Sequence, residues 1–222
     1  VNDLDLCTLV HALYSEQVDG FWDTLLPHDG GYVARKRIAD KIDVVIWRGS
    51  ETDLDWIDDM DASTTIDPRI GEVHAGFLQG VESVRKALDA TIARPVLVAG
   101  HSLGAAHAAI YAGLSLMSGR DLYSATLFGC PNPGYQKLAD VLADLSIHSY
   151  RNGRDPVTYV PVAIFGLNYV PVQPFIQVDV EPDAGDSWGL FSHHHIALYH
   201  TAMQAMFKPA LPQWEPPLNL KK

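Results

Sequence analysis

The chain has few cysteines, few basic residues and no long apolar run, and each shortage removes a class of protein. Cys7 and Cys130 are the only cysteines in 222 residues. They allow one disulfide at most, which argues against a disulfide scaffold or a cysteine-based metal site and leaves two buried thiols as the expectation. Lys and Arg together number 16 against 27 Asp and Glu, a formal charge of -11. Nucleic acid and anionic membrane surfaces would repel such a chain. No apolar stretch approaches the ~18–20 residues of a membrane span. The start, VNDLDLCTLV, has no basic region ahead of its apolar residues and does not read as a signal peptide. A chain that begins with Val and not Met is also compatible with processing, so the compartment stays open, as does the oligomeric state.

What is present is apolar residue content of 47% with 19% charged residues, the balance of a globular protein. The length fits one domain, 1–222, with a proline-rich extended tail over 208–222. Leu4 to Gln17 carries a helical stripe, which Asn2 or Asp3 can cap. GYVARKRIA and DVVIWRGS read as a strand hairpin turning at Asp40 and Lys41. Gly71 to Ile92 reads as an amphipathic helix. VLVA (96–99), LYSATLFG and LSIHSYRN read as strands, with a helix at about 135–142 between the last two. PFIQVDVE reads as an edge strand, because Pro174 opens it. A last helix is expected from about His195 to Phe207. Strands alternating with helices predict an α/β fold with a mostly parallel central sheet and helices on both faces.

One stretch then stands out. In VLVAGHSLGAAHAA a buried strand meets an Ala-rich helix at Gly100-His101-Ser102-Leu103-Gly104. In α/β sheets, reactive groups collect beyond the carboxyl ends of strands. A G-x-S-x-G turn there is tight and strained, and it holds the serine hydroxyl out. The N–H of Leu103 opens the helix, where unpaired donors and the dipole favour a negative oxygen. A serine hydroxyl needs a base to take its proton, and the base needs a carboxylate to orient it, in the chain order Ser, acid, His. Asp155 has the context of a loop after a strand, which Asp144, Asp179, Asp183 and Asp186 lack. Several histidines follow in SHHHIALYH. His195 is preferred as base for its place at a helix start and its spacing to Tyr199, with His194 the alternative. His101 is expected to be a packed, hydrogen-bonded neighbour of the elbow, and His74 and His107 to be structural. The run His193–His195 lacks the neighbouring ligands a metal site wants. The apolar connection over 157–175 separates acid from base, and its Val160, Ile164 and Phe165 are expected to line a groove for an acyl chain.

Six pieces in order resemble the class 3, fungal-type triacylglycerol lipases of the α/β-hydrolase superfamily: VVIWRGS, VHAGF, GHSLGAA, LFGCPNPG, RNGRDPVTYVP and HIALY. The resemblance runs from about Asp43 to Tyr199. It implies an α/β-hydrolase fold and a serine ester hydrolase acting on acylglycerols, with Ser102 as nucleophile, Asp155 as acid and His195 as base. It implies an oxyanion hole from Ser50 and the N–H of Leu103, and no metal or organic cofactor. It also implies a lid over 51–67, where Leu54, Trp56, Ile57 and Met60 form an apolar side and Asp53, Asp55, Asp58, Asp59 and Asp61 a wet one. Trp56 and Ile57 would then touch substrate. So acidic a lid favours neutral esters, met at a neutral lipid–water interface, over anionic lipids. A phospholipase, thioesterase or acyltransferase of the same fold is the alternative within enzymes. A non-catalytic hydrolase-like binding protein is the alternative outside them.

Overall fold

Helix α1, Asp3–Ala12, begins where Asn2 and Asp5 cap each other: the Asn2 side chain accepts from the Asp5 N–H, and the Asp5 carboxylate accepts from the Asn2 N–H. The helix stops at Ala12, short of the expected Gln17, so Tyr14 stands just beyond it. The computed structural model describes residues 1–15, 20–28, 30–49, 62–161, 167–183 and 189–208. Strands β1 (Thr24–His28), β2 (Gly31–Ile38) and β3 (Ile42–Arg48) form an antiparallel ribbon. The β2–β3 hairpin turns at Ala39 and Asp40, both with positive φ. The periodicity did not foretell β1. It is a short edge strand that carries Pro27, the placement in which a missing N–H costs no sheet hydrogen bond.

The segment expected to be one helix from Gly71 is divided. Strand β4 (Thr64–Asp67) pairs with β5 (Gly71–His74) as a separate two-stranded sheet. Helix α2 then runs Ala75–Asp89, and the His74 ring accepts from the Phe77 N–H to cap it. The apolar stripe was sound, since Phe77, Val81, Val84 and Leu88 are buried. Gly71, at φ +87°, turns the chain into β5 and so sets the true start of the helix later. Strand β6 (Val96–His101), helix α3 (Leu103–Met117), strand β7 (Leu122–Phe128), helix α4 (Gln136–Val141), strand β8 (Ser146–Asn152), strand β9 (Phe175–Val178) and helix α5 (Ile196–Met206) complete the order.

The main sheet has the order β1-β2-β3-β6-β7-β8-β9, parallel from β3 to β9. Alternation divides its central strands between two cores. Val45, Trp47, Val96 and Val98 face one core, with α2, α3 and α4. Val44, Ile46, Leu97 and Ala99 face the other, with α1 and α5. Helices therefore cover both faces, and the carboxyl ends of β6, β7 and β8 lie side by side. This is the expected α/β-hydrolase fold. Both cysteines are buried free thiols, and burial pushes each well above the ordinary thiol range.

Candidate active site

The turn from β6 into α3 is as tight as the two glycines suggest. Ser102 adopts φ +59°, ψ −134°, a conformation that non-glycine residues rarely take. A side-chain carbon on Gly100 would overlap the Gly104 carbonyl, and one on Gly104 would overlap the Trp47 carbonyl. Helix start, central strand and β3 are thus in backbone contact, which only glycine permits. The Ser102 N–H donates to the Phe128 carbonyl at 3.0 Å, fixing the elbow to the end of β7. The Ser102 hydroxyl is buried and, among the described residues, has no hydrogen-bond partner. Leu103, as the first residue of α3, has an N–H with no intrahelical acceptor.

Two strands further on, Asp155 follows the end of β8 and is fully buried. Its Oδ1 accepts from the Val157 N–H at 2.9 Å and so caps a single 3₁₀ turn, Pro156–Tyr159. Its Oδ2 accepts from His194 Nδ1 at 2.7 Å and from the Tyr199 hydroxyl at 2.5 Å. The same Tyr199 oxygen accepts from the Asn152 N–H at 3.1 Å. Burial and the adjacent carboxylate push the Tyr199 phenol well above its ordinary range, so it stays a donor.

The histidine that bonds Asp155 is therefore His194, the alternative, and not the preferred His195. The reason is local. A 3₁₀ helix over Gly189–His194 turns His194 inward, where it is 1% exposed. His195 then takes an extended conformation as N-cap of α5 and is half-buried. Three consecutive residues cannot all point the same way: His193 lies 4.0 Å from Glu181 and packs against Gly153. Gly129, at φ +57°, makes the space. A side-chain carbon there would come within 2.9 Å of the His194 ring and 2.8 Å of the Asp155 carboxylate. Asn152 secures the segment, since its amide donates to the carbonyls of His193 and Val180 at 3.2 and 3.0 Å.

Among the other expected site residues, Val160 is half-buried and directly follows the turn that Asp155 caps. Its carbonyl accepts from the Asn132 N–H at 2.8 Å. Ser50, Trp56, Ile57, Ile164 and Phe165 lie outside the described residues, as does most of the expected lid. The lid's last residues, Thr64–Asp67, form β4 instead. Gly49, which precedes Ser50, lies against the elbow: a side-chain carbon there would be 3.2 Å from the Leu103 nitrogen and from Ser102 Cβ. Among the described residues no group of three His, Cys, Asp or Glu side chains is placed to hold a metal ion. Sequence reasoning missed Asn152 as a fastener and Tyr199 as a donor to the acid. The Tyr199 spacing was noticed, but its direction depends on how α5 packs.

A seven-stranded sheet with a strained serine after a central strand, and a carboxylate–histidine pair beyond its neighbour, defines an α/β-hydrolase. A model of the class 3 lipase family matches residues 44–165, more than half of the chain, and the chain belongs to that family. The fold resembles Rhizomucor miehei triacylglyceride lipase at TM-score 0.65 and 24% identity, covering 75% of this chain and 76% of that one. It also resembles the lipase from Rhizopus microsporus var. chinensis at TM-score 0.62 and 24% identity, covering 88% and 84%. In sequence, the chain is 31% identical over 162 residues to phospholipase A1-II 1 of Oryza sativa subsp. indica, covering 57% of this chain. The match spans 41% of the rice protein's length.

Proposed function

We propose that the protein is a serine ester hydrolase acting as a lipase, cleaving carboxylic esters of acylglycerols through an acyl-enzyme. The observation that carries this reading is the 2.7 Å bond from His194 Nδ1 to the buried Asp155, on the sheet end that presents strained Ser102. Because a carboxylate only accepts, Nδ1 carries the proton and Nε2 holds the lone pair. Nε2 takes the Ser102 proton as Oγ bonds to the ester carbonyl carbon. Asp155 stabilises the imidazolium, while Tyr199 and the Val157 N–H keep the carboxylate in place. The carbonyl oxygen, now anionic, meets the Leu103 N–H and Ser50, each such donor worth roughly 3–4 kcal/mol of barrier. Collapse expels the alcohol, which takes the proton back from His194. Water then repeats the cycle on the acyl-enzyme and releases the acid. Val160, Ile164, Phe165, Trp56 and Ile57 are assigned to the acyl chain.

The rice relative favours a second reading, a phospholipase A1, the activity for which that protein is named. The same machinery would serve both. The charge of -11 supports neutral esters over anionic head groups.

The test is hydrolysis of p-nitrophenyl butyrate and palmitate by the wild type and by Ser102→Ala. The expected result is activity that falls by at least about 10³-fold in the variant. Activity surviving in Ser102→Ala removes the serine mechanism. Triolein emulsion against phosphatidylcholine vesicles then separates lipase from phospholipase. A wild type inert to all of these, and to a fluorophosphonate probe, would make it a binding protein.

A further inference from the structure

Behind the site runs a chain of hydrogen bonds in which every proton direction is determined. His101 precedes the nucleophile and is 1% exposed. Its Nε2 lies 2.7 Å from the His194 carbonyl, which can only accept, so Nε2 is the donor. Burial, with the charges of His194, His195 and His11 adding to it, holds His101 well below the ordinary histidine range, so the ring is neutral and Nδ1 bears no proton. Nδ1 lies 2.9 Å from the Tyr14 hydroxyl and must accept from it. The Tyr14 oxygen in turn accepts from the Gly49 N–H at 3.2 Å. The His101 ring also stacks on the His194 ring, with centroids 4.6 Å apart and planes 27° apart.

The two ends of this chain matter. One is the backbone of the histidine that bonds Asp155. The other is the residue before Ser50, whose backbone lies against Ser102 and Leu103. Tyr14 itself is held from a third direction. Arg48 donates to the Leu13 carbonyl at 3.4 Å, and its guanidinium lies 5.5 Å from the Tyr14 ring centre.

We propose that Tyr14 and His101 are positioning residues for the reaction, tying the base His194 and the backbone at Gly49, next to the oxyanion site, to one another through the segment that follows α1. This rests on the serine-hydrolase reading above. Neither side chain touches the reacting atoms. Tyr14 sets where His101 points, and His101 sets the height of the His194 backbone and the plane of its ring. A catalytic geometry displaced by a fraction of an ångström loses rate at the chemical step, whereas substrate binding is little changed.

The test is saturation kinetics on p-nitrophenyl butyrate, with the thermal midpoint measured on the same samples. Tyr14→Phe keeps the ring and removes the hydroxyl. The expected result is kcat lowered about three- to tenfold, the rate equivalent of one lost hydrogen bond, with KM within about twofold and the midpoint nearly unchanged. His101→Gln and His101→Asn both lose the stacked ring. Gln still reaches the His194 carbonyl with an N–H, whereas Asn is too short and offers only an acceptor towards Tyr14. His101→Gln should therefore turn over several-fold faster than His101→Asn. Wild-type kcat in Tyr14→Phe overturns the proposal, as does equal kcat in folded His101→Gln and His101→Asn. A fall in kcat that merely tracks the midpoint across the three variants also overturns it. If the His101 variants do not fold, Tyr14→Phe decides alone. These outcomes leave the serine reading intact, since only activity surviving in Ser102→Ala removes that.

Discussion

The two faces of the sheet hold the site by different means. On the α2–α3–α4 side the core is mainly apolar: Val45, Val98, Leu88, Ile110 and Leu114 are each completely buried, and the rings of Trp47, Phe77, Tyr111 and His107 pack against one another among them. That side positions Ser102 by shape, through an Ala-rich helix pressed so closely on the sheet that Gly100 and Gly104 admit no side chain. On the α1–α5 side the core is threaded with polar groups. Asp3 accepts from Thr126, His148 and Tyr150 at 2.6–3.0 Å, Tyr14 donates to His101, and Tyr199 donates to Asp155. That side positions Asp155 and His194 by direction. Packing energy is non-directional and tolerates small rotations, but a histidine that must present Nδ1 to a buried carboxylate does not. In the proposed mechanism the nucleophile needs a steric mould, and its partners need fixed hydrogen bonds.

The largest expected effect lies in the pair His194 and His195. His194→Ala removes the ring that bonds Asp155 and should lower kcat/KM by at least about 10³-fold on p-nitrophenyl butyrate. His195→Ala, one residue on, should stay within about threefold of wild type. The reverse result would mean that direction on this face is set otherwise than by the Asp155 bond.

A smaller effect separates the faces themselves. Leu114→Ala opens a cavity among fully buried aliphatic side chains and should cost about 2–5 kcal/mol of stability by urea unfolding, with kcat of the remaining folded enzyme near wild type. Tyr199→Phe removes one oxygen that donates to Asp155 and accepts from the buried Asn152 N–H. It should cost about 1–3 kcal/mol and also lower kcat about tenfold. If both variants changed kcat equally, or neither did, the contrast between shape and direction would fail.

The same contrast explains which parts were legible in the sequence. The moulded half could be read because small residues announce it: Gly100, Gly104 and the Ala-rich start of α3 are local in sequence and have one steric meaning. The strands around them followed from apolar runs and their breaks. The directed half was only partly legible. Asp155 was singled out from its loop after a strand, but which of His193, His194 and His195 faces it turns on the phase of one 3₁₀ helix, and no periodicity encodes that. The Tyr14–His101 bond joins residues 87 apart, and its existence depends on how α1 settles on the sheet. The strand β5 was hidden inside a helical stripe because Val73 and Phe77 satisfy a helical spacing as well as the strand and helix they occupy.

The smallest predicted effect is a dependence on pH, and it too belongs mainly to the directed face. Burial, helped by the neighbouring His200, lowers His11 to about 4. Burial alone lowers His200, and His101 is held well below the ordinary range. In the unfolded chain these imidazoles take up protons near 6.5, while in the folded protein they remain neutral. The unfolded state therefore binds more protons below pH 6.5. Stability is fully present above that value and is lost progressively as pH falls towards 4. Unfolding followed by urea should show a flat stability above about pH 7 and a decline below about pH 6.5. His11→Phe keeps an aromatic ring against His200, 5.2 Å away between centroids, and removes one titrating group. Over that interval it should reduce the slope by about one proton, ~1.4 kcal/mol per pH unit, without changing the rate at pH 8. An unchanged slope would mean that α1 and α5 part enough to let His11 ionise in place, and that this face is less firmly closed than the one that moulds Ser102.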